Sequence, residues 1–184
     1  MHPSPATADM PAQATYPPWT DHLSDGTTIY IRPIRPSDAE KEKQFIEALS
    51  PESRRNRFLA QIAHPSEALI KQLACLDPLR AVALVGTLPI DGTHALIGIA
   101  RYNVGPRPDE CECAVTVLDS WQGHGVGTIL MLHLMEVARA RDMRSMWSLD
   151  SGSNASMSAL AERLGFKHAV DTEDASQVVY RRKL

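Results

Sequence analysis

Val117-Leu118-Asp119-Ser120-Trp121-Gln122-Gly123-His124-Gly125-Val126-Gly127-Thr128 is the stretch that decides the fold. A β-rich apolar run enters it, three glycines at alternate positions fill its middle, and a helical pattern leaves it. Glycine has no Cβ, so a backbone built this way can pass close to a ligand. The first N–H groups of a helix have no internal partner and lie at the positive end of its dipole. Strand, glycine turn and helix start together predict an anion site sized for a pyrophosphate. Tight strand-to-helix turns also use glycine, so the turn by itself does not assign the site.

Downstream, residues from Gly125 to about Arg141 are apolar around most of a helical circumference, as for a helix lying against a sheet inside the domain. Arg144 to Leu149 reads as a short strand. Ser153 or Asn154 then caps a helix carrying Met157, Leu160, Ala161 and Leu164, which Gly165 ends. Phe166 to Val170 and Gln177 to Arg181 close the chain as strands.

Upstream, Arg80 to Leu88 and Ala95 to Val104 flank the hairpin signal Asp91-Gly92, and Glu110 to Leu118 is a third consecutive strand. Before them come a strand over Thr27 to Arg32 and three helices. The first opens at the capping box Ser37-Asp38-Ala39-Glu40, the second at Ser50-Pro51-Glu52 and the third at Ser66-Glu67. This order predicts a mixed α/β (α+β) domain with an antiparallel meander followed by a βαβ crossover.

With 184 residues, 43% apolar and 22% charged, the chain suits one globular domain and a tail. The proline-rich residues 1–18 are expected to be a disordered tail, leaving 19–184 as the domain. A net charge of -3 argues against nucleic acid as a main partner. No apolar run approaches the roughly 18 residues that span a bilayer, and no secretory signal opens the chain, so a cytoplasmic protein without a membrane partner is expected. Three cysteines without framework spacing fit reduced thiols. Cys111 and Cys113 share a strand face as half-buried thiols, and no second ligand pair follows them, so no metal is expected.

Gln122, Gly125 and Gly127 as Gln-x-x-Gly-x-Gly resemble the acetyl-CoA motif of the GCN5-related N-acetyltransferase (GNAT) superfamily, with Val117 at the strand position leading into it. Asn154 followed by Leu164-Gly165-Phe166 resembles that superfamily's next motif. Arg32-Pro33-Ile34-Arg35-Pro36-Ser37-Asp38-Ala39 and Leu49-Ser50-Pro51-Glu52-Ser53-Arg54-Arg55 are similar to the acetyltransferase domain of bacterial Pat-type protein lysine acetyltransferases. The resemblance spans roughly Thr20 to Leu184. It implies a mostly antiparallel twisted sheet flanked by helices and splayed at the strand before the glycine turn.

It further implies acyl transfer, with acetyl-CoA as co-substrate, to a primary amine on a small molecule or a protein lysine, by a monomer or homodimer. Gln122, Gly123, His124, Gly125, Val126, Gly127 and Thr128 would hold the pyrophosphate. Val115 and Val117 would offer free N–H groups along the splay, with Val117 polarising the thioester carbonyl. Asn154 would bond the pantetheine arm or serve only as a helix cap.

Glu110 and Glu112 share one strand face. The Pat-type strand context Cys-Glu-Cys-Ala points to Glu112 as general base, whereas both glutamates could merely solvate the sheet edge. Ala161 stands where many members carry a Tyr that protonates the leaving thiolate. A non-catalytic acyl-CoA sensor is the alternative reading. An ATP site is disfavoured because no Gly-Lys-Ser or Gly-Lys-Thr follows the turn. Arg54, Arg55 and Arg57 read as a solvated face, or else as holders of an acidic acceptor or the ribose 3′-phosphate. His133 reads as a core histidine, and Trp121 as packed beneath the turn or lining the groove.

Overall fold

The computed structural model describes Tyr16 and residues 18–59, 64–90 and 92–184. The expected tail over residues 1–18 therefore lies mostly outside the described residues, as does Asp91 of the expected Asp91-Gly92 turn. Tyr16 departs from a tail: its ring stacks on Trp19 with centroids 6.2 Å apart, and its hydroxyl accepts from Arg141 Nε at 2.9 Å.

Strands β1 (Trp19–His22), β2 (Thr28–Pro33), β3 (Ala81–Ile90), β4 (Thr93–Val104), β5 (Glu110–Val117), β6 (Ser145–Ser151), β7 (Lys167–Val170) and β8 (Gln177–Lys183) form one sheet among the described residues. Their order is β1-β2-β3-β4-β5-β6-β8-β7, and of the neighbouring pairs only β5–β6 is parallel. The helices are α1 (Ala39–Ala48), α2 (Pro51–Phe58), α3 (Glu67–Ala74), α4 (Val126–Ala140) and α5 (Ala155–Arg163). This is the mixed, mostly antiparallel architecture expected from the GNAT resemblance, with α4 as the crossover of a βαβ unit.

Sequence reasoning passed over β1. Trp19-Thr20-Asp21-His22 is short and polar at alternate positions, and it is held by pairing with β2 across the turn at Gly26. The capping box expected at Ser37 does not form either. A single 3-10 turn over Pro36–Asp38 precedes α1, and the Asp38 carboxylate is taken by Arg32 at 2.6 and 2.8 Å and by the Arg35 N–H at 2.8 Å. Ser50 and Ser66 do cap α2 and α3, accepting from Ser53 N and Leu69 N.

Two cores sit on opposite faces of the sheet. On one, Phe45 and Ile46 of α1, Leu49 just after it and Ile70 of α3 cover Ala83, Val85 and Ile99. On the other, Leu130, Leu134, Val137 and Ala138 of α4 pack with Leu84, Ala100, Cys111, Cys113 and Met146. Strand β3 is buried on both faces from Ala81 to Leu88, which explains why Thr87 is its one polar side chain. Cys111 and Cys113 are fully rather than half buried, because α4 and not solvent covers their face. Burial pushes the Cys111 thiol up to about 12.

His133 is not a self-contained core histidine. Its Nε2 lies 2.7 Å from Asp21 Oδ2 and its ring stacks on Trp19 at 4.7 Å, so it ties α4 to β1.

Helix α4 approaches β4 closely because Gly98 offers no side chain. A Cβ there would lie 2.9 Å from Leu130 Cδ1 and 3.1 Å from Val126 Cγ1. Gly98→Val should therefore destabilise the fold by about 1–3 kcal/mol through overpacking, read as a lower midpoint in urea. An unchanged midpoint would mean that α4 does not rest on this strand.

Candidate functional site

The parallel ladder between β5 and β6 has only three rungs, Glu110–Ser145, Cys111–Met146 and Glu112–Trp147. Beyond Trp147, β6 stays with β8 as far as Ser151–Gln177, while β5 stays with β4 as far as Val117–Gly98. The two strands thus follow different neighbours and part. The Leu118 N–H bonds Ile97 O of β4 at 2.9 Å. Hydrogen-bonding direction alternates along a strand, so the amides of Val115 and Val117 face the gap, where no ladder meets them.

The gap opens into a cavity of about 370 Å³ with Ala114, Val115, Val117, Ser148, Asp150 and Asn154 in its walls. A second cleft of about 270 Å³ runs beside the glycine turn, with Trp121, Gly123, Gly125, Thr128 and Arg163 in its walls. Both are bounded by Val117, Gln122, Gly127 and Leu160, so they form one groove.

At the turn, Gly123 and Gly125 have φ of 78° and 94°. The first backbone bond of α4 is Ile129 N–H to Gly125 O at 3.1 Å. The N–H groups of Val126, Gly127 and Thr128 consequently have no helical acceptor. Gly127 packs against β5 and α5, where a Cβ would meet Val117 and Leu160 side chains at 3.5 and 3.6 Å. Gln122 turns inward, its Nε2 donating to Val117 O and Ser53 Oγ at 3.2 Å each. His124 folds back as well, with Nδ1 donating to Gln122 O at 2.9 Å. Trp121 is half-buried and lines the cleft.

Asp119, a residue sequence reasoning did not single out, fastens this turn to α2. It accepts from Ser50 N at 2.9 Å, Ser50 Oγ at 2.7 Å and Ser53 Oγ at 2.8 Å. Burial pulls its pKa upward, but these three donors outweigh it and hold the carboxyl below its ordinary value.

Glu112 ends the part of β5 that pairs with β6 and faces the α1–α3 side, on the same strand face as Ala114 of the cavity wall. Its carboxylate meets solvent, yet burial pushes its pKa up while the Arg57 charge pulls it back. Glu110 is engaged elsewhere, its Oε1 accepting from Arg181 at 2.7 Å and Ser145 Oγ at 3.1 Å. Arg57 does not belong to a solvated face, because it lines the cavity. Burial first, and the Arg101 charge second, lower its pKa to about 10, so it stays charged at neutral pH. Beneath it, Glu42 and Arg101 form a buried ion pair. Burial raises the Glu42 pKa in spite of the Arg101 charge.

Asn154 caps α5, its Oδ1 accepting from Met157 N at 3.1 Å, and its Nδ2 donates to Asp150 Oδ1 at 3.0 Å. Both ends of this amide have partners within the protein. Ala161 is 1% exposed and sits in the core shared with α4. Among the described residues, no group of His, Cys, Asp or Glu is arranged to hold a metal ion, and no helix is long and apolar enough to cross a membrane.

The geometry has clear counterparts. The family model described as Acetyltransferase (GNAT) family matches residues 44–166. Acetyltransferase PA5475 of Pseudomonas aeruginosa is 42% identical over 166 residues, covering 90% of this chain and 89% of that one. Acetyltransferase Pat of Mycolicibacterium smegmatis is 28% identical over 141 residues, 76% of this chain but only 41% of its own length. The crystal structure of the GNAT domain of S. lividans PAT superposes with a TM-score of 0.83 at 29% identity, covering 92% of this chain and 99% of that one. The chain belongs to the Acetyltransferase (GNAT) family.

Proposed function

We propose that this chain transfers an acetyl or other acyl group from acyl-CoA to a primary amine, on a protein lysine or a small molecule, with residues 19–184 as the catalytic unit. The observation that carries the reading is the early end of the β5–β6 ladder, which leaves the Val115 and Val117 amides facing a groove that ends at a helix N-terminus. A pantetheine arm is an extended diamide, and it can complete an interrupted sheet as an added strand does. Gly123, His124, Gly125, Val126, Gly127 and Thr128 then receive the pyrophosphate on orphan N–H groups and the dipole of α4. Gln122 supports this cradle from below, and Asn154 borders the arm while capping α5.

Glu112 serves as the base that takes the amine's proton, directly or through a water. Its raised pKa fits that task, and Glu110 is occupied by Arg181. The carbonyl needs one N–H donor to stabilise the developing oxyanion. Val117 was the expected donor. At about 3.3 Å per residue, Glu112 is about 10 Å along the strand from Val115 and about 16 Å from Val117. The shorter span favours Val115 at the carbonyl and leaves Val117 to the arm. Reduced thiols fit a cytoplasmic setting.

Gly125→Asp tests the cradle. No atom lies within 4 Å of a Cβ built at Gly125, so the cost is the positive φ and a negative charge aimed at phosphates. CoA affinity should fall by about 100-fold or more in calorimetric titration while circular dichroism is retained. Unchanged affinity in the folded variant would remove the turn from the site.

Glu112→Gln should lower turnover by roughly 10²–10⁴-fold with CoA affinity preserved. Wild-type activity needs the carboxylate form, so it should fall as pH drops through the Glu112 pKa, above the ordinary carboxylate range. The variant should lose that inflection. Full activity in Glu112→Gln alongside a crippled Glu110→Gln would move the base two residues upstream.

A further inference from the structure

We propose that Asp150 is the general acid of this site, the group that returns a proton to the departing CoA thiolate. The inference rests on the acyl-transfer reading above and fills the role left open by Ala161. Extending the β5–β6 register past Glu112–Trp147 by three residues sets Val115 and Asp150 on opposite lips of the gap. A thioester whose carbonyl oxygen is held by the Val115 amide therefore lies in the gap that Asp150 borders from the β6 lip.

The surroundings of the carboxyl favour its protonated form. Asp150 is 9% exposed and lines the cavity. Its Oδ1 takes both protein donors, Ser151 N at 2.7 Å and Asn154 Nδ2 at 3.0 Å. Oδ2 has no protein partner among the described residues, and it is the oxygen on which a proton would sit. Burial raises the carboxyl's pKa, and the donors Asn154 and Ser151 only partly offset that. The charged groups that share the cavity, Glu52, Arg57 and Asp119, come from α2 and the turn, on other walls. A carboxyl whose burial favours the protonated form is a suitable proton donor.

The step balances. Attack forms the C–N bond, and the amine's surplus proton goes to Glu112. The C–S bond breaks, its electron pair stays on sulfur, and the Asp150 Oδ2 proton moves to that sulfur. The products are the amide and CoA thiol. Glu112 gives its proton to solvent and Asp150 regains one from it.

The test combines Asp150→Asn with a titration of the wild-type protein. Asp150→Asn should lower kcat by about 10²-fold while calorimetric CoA affinity stays within about threefold and the melting temperature is little changed. The ratio of wild-type to variant kcat should shrink as pH rises through the Asp150 pKa, because the wild type then loses its acid. Carbon-13 NMR of the ligand-free wild type should show the Asp150 carboxyl titrating above the ordinary carboxylate range, a readout independent of the variant's folding. Titration at or below that range overturns the assignment. So does a variant with full kcat, or one whose loss is all in CoA binding, which would make Asp150 a contact to the arm. Wild-type protein that neither binds CoA nor turns over would instead remove the acyl-transfer reading, and the acid with it.

Discussion

The break in pairing between β5 and β6 is the constraint on which the rest of this molecule depends. A parallel pair is joined through a crossover, here α4, so the strands need not stay together along their whole length. Each also has an antiparallel partner on its other side, β4 for β5 and β8 for β6, and both of those ladders continue after the shared one has ended. Strand twist carries the two pairs further apart with each residue. Unpaired backbone N–H groups inside a protein are costly unless something meets them. A groove lined by such groups is therefore both a cost to the fold and a binding site.

The two faces of the sheet divide the labour around that groove. On the α4 and α5 side are the glycine turn, the helix N-terminus, Asp150 and Asn154. On the α1–α3 side are Glu112, Arg57 and the buried Glu42–Arg101 pair. A buried ion pair adds little net stability, since desolvation offsets its attraction. The pair lies close enough to Arg57 for both of its charges to act on the guanidinium that faces Glu112. Asp119 joins the two sides, because it is part of the turn and holds the first residues of α2.

Features set by local chemistry were legible in the sequence. The glycine turn, the caps at Ser50, Ser66 and Asn154, the buried α4 and the order of strands all follow from residue spacing or from one side chain meeting its own backbone. Features set by distant partners were not. Trp19-Thr20-Asp21-His22 is a strand only because β2 lies beside it. Ser37 and Glu40 have a capping pattern, but Arg32 draws Asp38 into a different turn. Arg54, Arg55 and Arg57 look alike in sequence, and only the fit of α2 against β5 selects Arg57 for the cavity. Asp150, in Leu149-Asp150-Ser151-Gly152-Ser153-Asn154, reads as the start of a loop until the strand order places it opposite Val115.

The most direct test of the account is residue-resolved amide hydrogen exchange along β5, with and without CoA. Without it, the Val115 and Val117 amides should exchange much faster than those of Ala114 and Thr116, which point toward β4. On saturation with CoA, Val115 and Val117 should be protected by at least about tenfold, with Ala114 and Thr116 little changed. If CoA binds and leaves the Val115 and Val117 amides as exposed as before, the cofactor does not complete the sheet, and the account is wrong at its centre.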